Sequence, residues 1–247
     1  MLFVLDVDGT ICFNGKFIEP ELHREINRLE KEHQIIFASA RPIRDLVPVV
    51  KDFKNHILIG GNGSIISKNN DISIIKHIPQ NEYTEIKKII RENNLNYIID
   101  GTFNYSAYVN PQNKIFRQLD PDKLASNVNM SEITESIKII LIDVPEKLYA
   151  KLEEFFQKFD TILSINYHKK ERNIDITAKE VNKYSTLKKV IGNQSYIAYG
   201  NDINDYELLK NAKKSFYVGI DLEDLDFDNV ELIKDNSNSV AKSLNCF

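Results

Sequence analysis

The 247-residue sequence predicts an α/β protein: a parallel sheet covered by helices, with a second, α+β domain inserted into its chain. Three observations predict it. Short apolar runs alternate with an amphipathic helical stretch at the start of the chain. The same texture returns near the end. Between the two, strands follow one another with little helix, the pattern of an antiparallel sheet.

Leu2 to Asp6 is an apolar run ending on an acid, consistent with a strand buried on both faces. A helix begins near Pro20, which suits a first helical position, and Leu22, Ile26 and Leu29 give it one apolar stripe. Gln34 to Ala38 and Ile57 to Ile59 read as further buried strands. Ile65-Ile66 and Ile72 to Ile75, around the polar Lys68-Asn69-Asn70-Asp71, read as a hairpin leaving the sheet. Glu82 to Asn93 is helical, with Ile86, Ile89 and Ile90 on one face. Strands follow at Tyr97 to Ile99, Tyr105 to Val109, Lys114 to Arg117 and Ser136 to Asp143. Glu146 to Phe159 is an amphipathic helix and Thr161 to Ile165 a strand. The parallel texture resumes with strands at Ile174 to Thr177, Tyr196 to Tyr199 and Ser215 to Val218. Helices at Lys183 to Ile191, Ile203 to Asn211 and Ser237 to Leu244 alternate with them. These elements divide into a discontinuous Rossmann-like core, residues 1–77 and 172–247, and an inserted domain, 78–171.

Composition excludes several function classes. Against 36 Asp and Glu stand 32 Lys and Arg, a net charge of -4, so no generally basic surface tracks nucleic acid. No run of about 18 apolar residues can span a bilayer. Met1 to Asp6 carries no basic leader and reaches an acid before a signal core could form, so the expected location is the cytoplasm. Cys12 and Cys246 belong to no metal-binding pattern and are expected as reduced thiols. His56, His77 and His168 lack metal-ligand spacing and read as surface residues. Tyr97, Tyr105 and Tyr108, on strands of the inserted domain, read as core.

Ligands of open parallel sheets bind outside the carboxyl ends of the strands. The first strand delivers Asp6-Val7-Asp8-Gly9-Thr10 to that rim. The second delivers Ser39-Ala40-Arg41, the third Gly60-Gly61-Asn62-Gly63. Lys183 opens a helix, and Gly200-Asn201-Asp202-Ile203-Asn204-Asp205 follows another strand. Carboxylates, a hydroxyl, an ammonium and a guanidinium thus converge. This inventory suits phosphate monoesters, whose own charge repels nucleophiles. Hard oxygens can hold magnesium, lysine and hydroxyl can hold phosphoryl oxygens, and a second carboxyl can move a proton.

The four groups, in this order, resemble the motifs of the haloacid dehalogenase (HAD) superfamily of phosphatases. Ser39-Ala40-Arg41, Asn62-Gly63 and the size and place of the insertion resemble its Cof-like branch, with a type IIB cap. The resemblance implies the HAD fold, and a Mg2+-dependent phosphatase acting on a small phosphorylated metabolite, a sugar phosphate or phosphorylated cofactor. It implies Asp6 as a nucleophile forming an aspartyl-phosphate, and Asp8 as general acid and base whose carbonyl also meets the metal. Ser39 and Lys183 would hold the phosphoryl group. Asn201, Asp202 and Asp205 would complete the metal site, and Arg41, Asn62 and Asn204 would face substrate.

This chain departs from the family at three points. Ser39-Ala40-Arg41 stands where Thr-Gly-Arg is common, and keeps the hydroxyl. Tyr184 follows Lys183 where glycine is frequent. Asn201 stands where the last motif commonly has aspartate, which removes one negative charge; an amide oxygen still ligates magnesium, and Asn201 is expected as the direct ligand.

Blander roles remain open: Asp6 and Asp8 as turn residues, Ser39 and the Asp202 to Asp205 group as helix caps, Arg41 as the partner of a structural acid, and Asn62 as a turn residue. Competing functions are a phosphomutase or phosphotransferase using the same aspartyl-phosphate, a phosphoacceptor signalling module, and a metabolite-binding scaffold. The signalling modules are about half this length and lack an insertion.

Overall fold

The computed structural model describes residues 1–54, 57–221, 225 and 227–247. His56 lies outside the described residues. Successive elements are β1 (Leu2–Asp6), α1 (Pro20–Leu29), β2 (Gln34–Ala38), α2 (Ile43–Val50), β3 (Ile57–Gly60), β4 (Ile65–Lys68) and β5 (Asp71–Ile74). Then come α3 (Gln80–Glu92), β6 (Asn96–Asp100), β7 (Tyr105–Tyr108), β8 (Lys138–Ile142), α4 (Glu146–Gln157), β9 (Leu163–His168) and β10 (Asn173–Ala178). The chain closes with α5 (Lys183–Ile191), β11 (Ile197–Gly200), α6 (Tyr206–Lys210), β12 (Lys214–Val218), β13 (Val230–Ile233) and α7 (Ser237–Leu244).

These elements form an α/β fold with two sheets. An eight-stranded sheet runs β13-β12-β11-β1-β2-β3-β4-β5, and a five-stranded antiparallel sheet runs β7-β6-β8-β10-β9. The chain divides into two compact units, Met1–Ile72 with Asn182–Phe247, and Ser73–Val181. In the first, β13 through β3 pair in parallel. Alternation along β1 sends Leu2 and Val4 to one face, where Ile36, Ala38, Leu187, Leu208 and Leu209 bury them beneath α5 and α6. Phe3 and Leu5 point the other way, and Phe3 packs against Phe247, just past α7, at 5.2 Å between ring centroids. Helices α5 and α6 thus cover one face, and the end of the chain past α7 packs on the other.

Register then places the loops. Asp6 pairs with Ala38, Leu5 with Tyr199, and Ala38 with Ile59, so β1, β2, β3 and β11 all end at one level. The loops carrying Asp8, Ser39, Asn62 and Asn201 leave from that rim.

The second unit packs α3 and α4 on one face of its own sheet. Tyr83, Ile86, Ile90, Leu152 and Phe156 meet Ile99, Ile139, Leu141, Ile174 and Ile176, every second residue of their strands. The opposite face is polar in part: Lys138 pairs with Asp175 at 2.7 Å.

Several expectations need correction. Ile174 to Thr177, expected in the parallel sheet, belongs to β10 and lies antiparallel between β8 and β9. A run of buried isoleucines is shared by both kinds of sheet when one face is covered by helices and the other carries neighbouring polar groups. The hairpin of β4 and β5 does not leave the sheet; β4 pairs antiparallel with β3 and extends it. Lys114 to Arg117 is not a strand, and Phe116–Gln118 forms one 3-10 turn. Tyr97 packs half-buried against the second core, but Tyr108 is exposed. Both cysteines are free, Cys12 buried and Cys246 exposed. Among the described residues no helix is long and apolar enough to cross a membrane.

Candidate active site

The rim is built from β1 outward. Past Asp6 the chain turns sharply: the Val7 carbonyl accepts from the amides of Thr10, Ile11 and Cys12 at 3.2, 3.0 and 2.8 Å. Gly9 makes the turn with φ of +79°, a left-handed conformation that a side chain resists. A Cβ there would also lie 2.2 Å from the Asn201 amide. The turn buries Thr10, whose hydroxyl donates to Asp6 Oδ2 at 2.7 Å.

Lys183 reaches the other oxygen. Its ammonium donates to Asp6 Oδ1 at 2.6 Å, Asp205 Oδ1 at 2.7 Å and Asn204 Oδ1 at 3.1 Å. Helix α5 holds it there through reciprocal capping: Ser185 N donates to Asn182 Oδ1 at 2.7 Å, and Asn182 N to Ser185 Oγ at 2.9 Å. The Thr186 hydroxyl donates to the Gly63 carbonyl at 2.6 Å, fastening the helix to the loop after β3. Sequence reasoning missed Asn182 and Thr186, although an asparagine before a helix is a readable cap signal.

Asp6, Lys183 and Asp205 are 3%, 1% and 0% exposed, so two carboxylates and one ammonium share a dry cluster. Burial, and then the neighbouring Asp205, push the Asp6 carboxyl up to about 7, against the pull of Lys183 and the hydrogen bonds from Lys183 and Thr10. Burial alone would lower Lys183, but its two carboxylate partners outweigh that and raise it. When all three are ionised, one negative charge is left uncompensated.

Ser39 is fully buried, and its Oγ accepts from Arg41 N at 3.1 Å, which leaves its hydrogen free to donate. Asn62 adopts φ of 55°, and its backbone N donates to the Ser39 carbonyl at 3.0 Å; its side-chain Oδ1 is buried without a partner. The structure therefore brings Ser39 and Asn62 together. Arg41 grips Asp8 with a fork, Nε to Oδ2 at 2.7 Å and Nη2 to Oδ1 at 2.5 Å, and also donates from Nη2 to the Gly15 carbonyl at 2.8 Å. It is the partner of an acid, and that acid is Asp8.

The residues after Gly200 separate into different jobs. Asp205 Oδ2 accepts from the amides of Asn201 and Asp202 at 3.1 and 3.3 Å, and its Oδ1 is taken by Lys183. Asp202 is exposed and caps the short turn Ile203–Asp205, accepting from Ile203 N at 2.7 Å. Asn204 meets Lys183. Of this group only Asn201 turns toward the first strand: one end of its amide lies 3.0 Å from both Asp6 Oδ2 and the Asp8 carbonyl, and 3.1 Å from Thr10 Oγ1.

Among the described residues no three His, Cys, Asp or Glu side chains are grouped to hold a metal. The donors that do converge are one carboxylate, one backbone carbonyl and one amide. Magnesium takes hard oxygens, uses only one or two carboxylates and keeps several waters, so this set and its uncompensated charge fit that ion.

A protein-family model described as haloacid dehalogenase-like hydrolase matches residues 3–242. Solved structures similar over nearly the whole chain include a protein from Thermotoga maritima (21% identity, 100% of this chain and 97% of that one, TM-score 0.83). A haloacid dehalogenase-like hydrolase from Bacteroides thetaiotaomicron is similar at 18% identity (99% and 98% covered, TM-score 0.83). So is a protein described as a HAD subclass IIB sugar phosphatase, at 18% identity (100% and 98% covered, TM-score 0.75). Comparison with curated proteins found no match.

Proposed function

The chain belongs to the haloacid dehalogenase-like hydrolases, and we propose that within that family it is a Mg2+-dependent phosphatase of small phosphorylated metabolites. The observation that carries this reading is the buried cluster in which Lys183 and Thr10 each hold one oxygen of Asp6. Such a carboxylate is fixed in direction and stripped of water, as a nucleophile needs to be.

In the proposed reaction an Asp6 oxygen attacks phosphorus and the bond to the leaving oxygen breaks, giving an aspartyl-phosphate. Asp8 gives that leaving oxygen a proton. Asp8 then takes a proton from water, which attacks phosphorus, releases phosphate and restores the Asp6 carboxylate. Arg41 donates to both Asp8 oxygens and so fixes where Asp8 points, and the fork has to release one of them for Asp8 to carry that proton. Ser39 donates to a phosphoryl oxygen as charge shifts, Lys183 does so by exchanging one of the three acceptors its ammonium serves, and Asn62 offers its side-chain amide. Asp6, the Asp8 carbonyl and Asn201 would hold the magnesium ion, which supplies charge neutralisation for the phosphoryl group. Asp205 serves by positioning Lys183 and the loop, and Asp202 as a cap, so neither is needed as an inner ligand.

The inserted unit is proposed as a type IIB cap of the Cof-like branch, selecting a sugar phosphate or phosphorylated cofactor. Its antiparallel sheet under two helices, and its place between β5 and α5, support that reading. The test is release of phosphate from an aryl phosphate. Turnover with Mg2+ is expected, with loss of at least about a thousandfold on chelation or in Asp6→Asn. Turnover that survives either change would overturn the mechanism.

A further inference from the structure

The terminal oxygen and nitrogen of an asparagine exchange places by a half-turn about the last side-chain bond. At Asn201 the two orientations have different consequences, because the atom facing the rim meets only oxygens. With Oδ1 in that place, it stands 3.0 Å from Asp6 Oδ2 and from the Asp8 carbonyl and 3.1 Å from Thr10 Oγ1. A carboxylate and a carbonyl have no hydrogen to give, and the one hydrogen of the Thr10 hydroxyl is contested by Asp6 Oδ2 at the shorter 2.7 Å. Such a group of oxygens is settled by a cation. With Nδ2 in that place, the amide donates to Asp6 Oδ2, the Asp8 carbonyl and Thr10 Oγ1, at 3.0, 3.0 and 3.1 Å. The Thr10 hydroxyl hydrogen is already given to Asp6, so its oxygen is free to accept.

We propose that Asn201 is a reversible latch on the cation site. In the metal-free protein its NH2 stands in for the cation and ties together the oxygens that the cation would bind. When a divalent cation enters, the amide makes its half-turn and presents Oδ1. An aspartate at this position has two oxygens and no hydrogen, so it binds the cation more strongly but leaves the empty site with two opposed carboxylates. Asparagine gives up affinity and gains a site that stays assembled when empty. Gly9 leaves room for the turn: a Cβ there would lie 2.2 Å from one end of the amide and 3.0 Å from its carbon.

The latch rests on the reading of this rim as a Mg2+ site, and the test separates the two. Magnesium chloride is titrated by calorimetry into the wild type, Asn201→Asp and Asn201→Ala, and thermal unfolding is followed in EDTA. Asn201→Asp is expected to bind Mg2+ at least about tenfold more tightly, yet to unfold at a lower temperature than wild type without metal. Asn201→Ala is expected to lose on both counts. A purely structural role would lower both unfolding temperatures without moving the two affinities in opposite directions, and would overturn the latch. So would an Asn201→Asp protein that is as stable as wild type in EDTA.

If Asn201→Asp folds only with metal, nuclear magnetic resonance of the 15N-labelled wild type decides. The Asn201 side-chain amide pair, identified by its loss in Asn201→Ala, must shift when Mg2+ is added; an unmoved pair overturns the proposal. Wild type that binds no Mg2+ at all sinks the cation reading and the latch with it. Binding that is equal in all three proteins sinks the latch alone.

Discussion

Asp6 and Asp205 share one lysine in a dry cluster, and this crowding gives the Asp6 carboxyl a measurable signature. Its folded-state value is raised to about 7, whereas the unfolded chain releases the same proton near 3.8. Between those values the folded protein holds a proton that the unfolded chain has lost, so stability from this group falls as pH rises through that window. Asp6→Asn removes the dependence while Lys183 keeps Asp205. In EDTA the variant is therefore expected to match wild type near pH 4 and to unfold several degrees higher at pH 8. Unfolding temperatures that stay parallel across the range would show that burial does not raise this carboxyl. Identity and order of these side chains were legible in the sequence, because a strand ending in acid, a helix opening in lysine and an acidic loop each announce themselves locally. Their pairing was not. Asp8 and Arg41 stand 33 positions apart, and nothing in either stretch says that the fork of one closes on the other. Likewise the run from Asn201 to Asp205 looks uniformly like a ligand set; only the backbone path turns Asp202 outward as a cap and Asp205 inward to Lys183.

Helix α5 shows how an element carries chemistry. Its first residue is Lys183, and Asn182 and Ser185 close the turn beneath it. Asn182→Ala removes the acceptor for an amide that has no partner within the helix, at an expected cost of about 1 kcal/mol. Urea unfolding measures it, with Asn182→Ser as the control that keeps a capping oxygen and most of the stability. Equal losses in both variants would mean that the cap is not what Asn182 supplies. Helices with an apolar stripe and end signals were read closely: α5 and α7 run over the residues expected, Lys183–Ile191 and Ser237–Leu244. The elements that sequence reasoning passed over have physical disguises. Helix α2 contains Pro48, a residue that lacks the amide a helix interior uses. Strand β13 is a four-residue edge with Glu231 and Leu232 exposed, so it shows neither a buried run nor clean alternation. Strand β10 shows the opposite difficulty. Its isoleucines announce burial, but which sheet buries them depends on partners 30 or more residues earlier in β8.

At the scale of the whole chain, the two units each bury their own core, one around Val4, Ile36 and Leu187 and the other around Ile139, Ile174 and Phe156. A protein built this way need not unfold in one step. The proposed metal ligands Asp6, Asp8 and Asn201 all belong to the unit of Met1–Ile72 and Asn182–Phe247. If the proposed site holds a cation, linkage stabilises that unit by about 2.7 kcal/mol at a hundred times the dissociation constant. Phe156 is fully buried in the other unit, and Phe156→Ala costs it about 3–5 kcal/mol through lost contact and the cavity left behind. Calorimetric scans are expected to show two transitions that answer separately: Mg2+ raises one and leaves the other in place, while Phe156→Ala lowers only the second. A single transition moved by both would mean that the units melt together, because coupling across the two chain crossings then outweighs the independence of their cores.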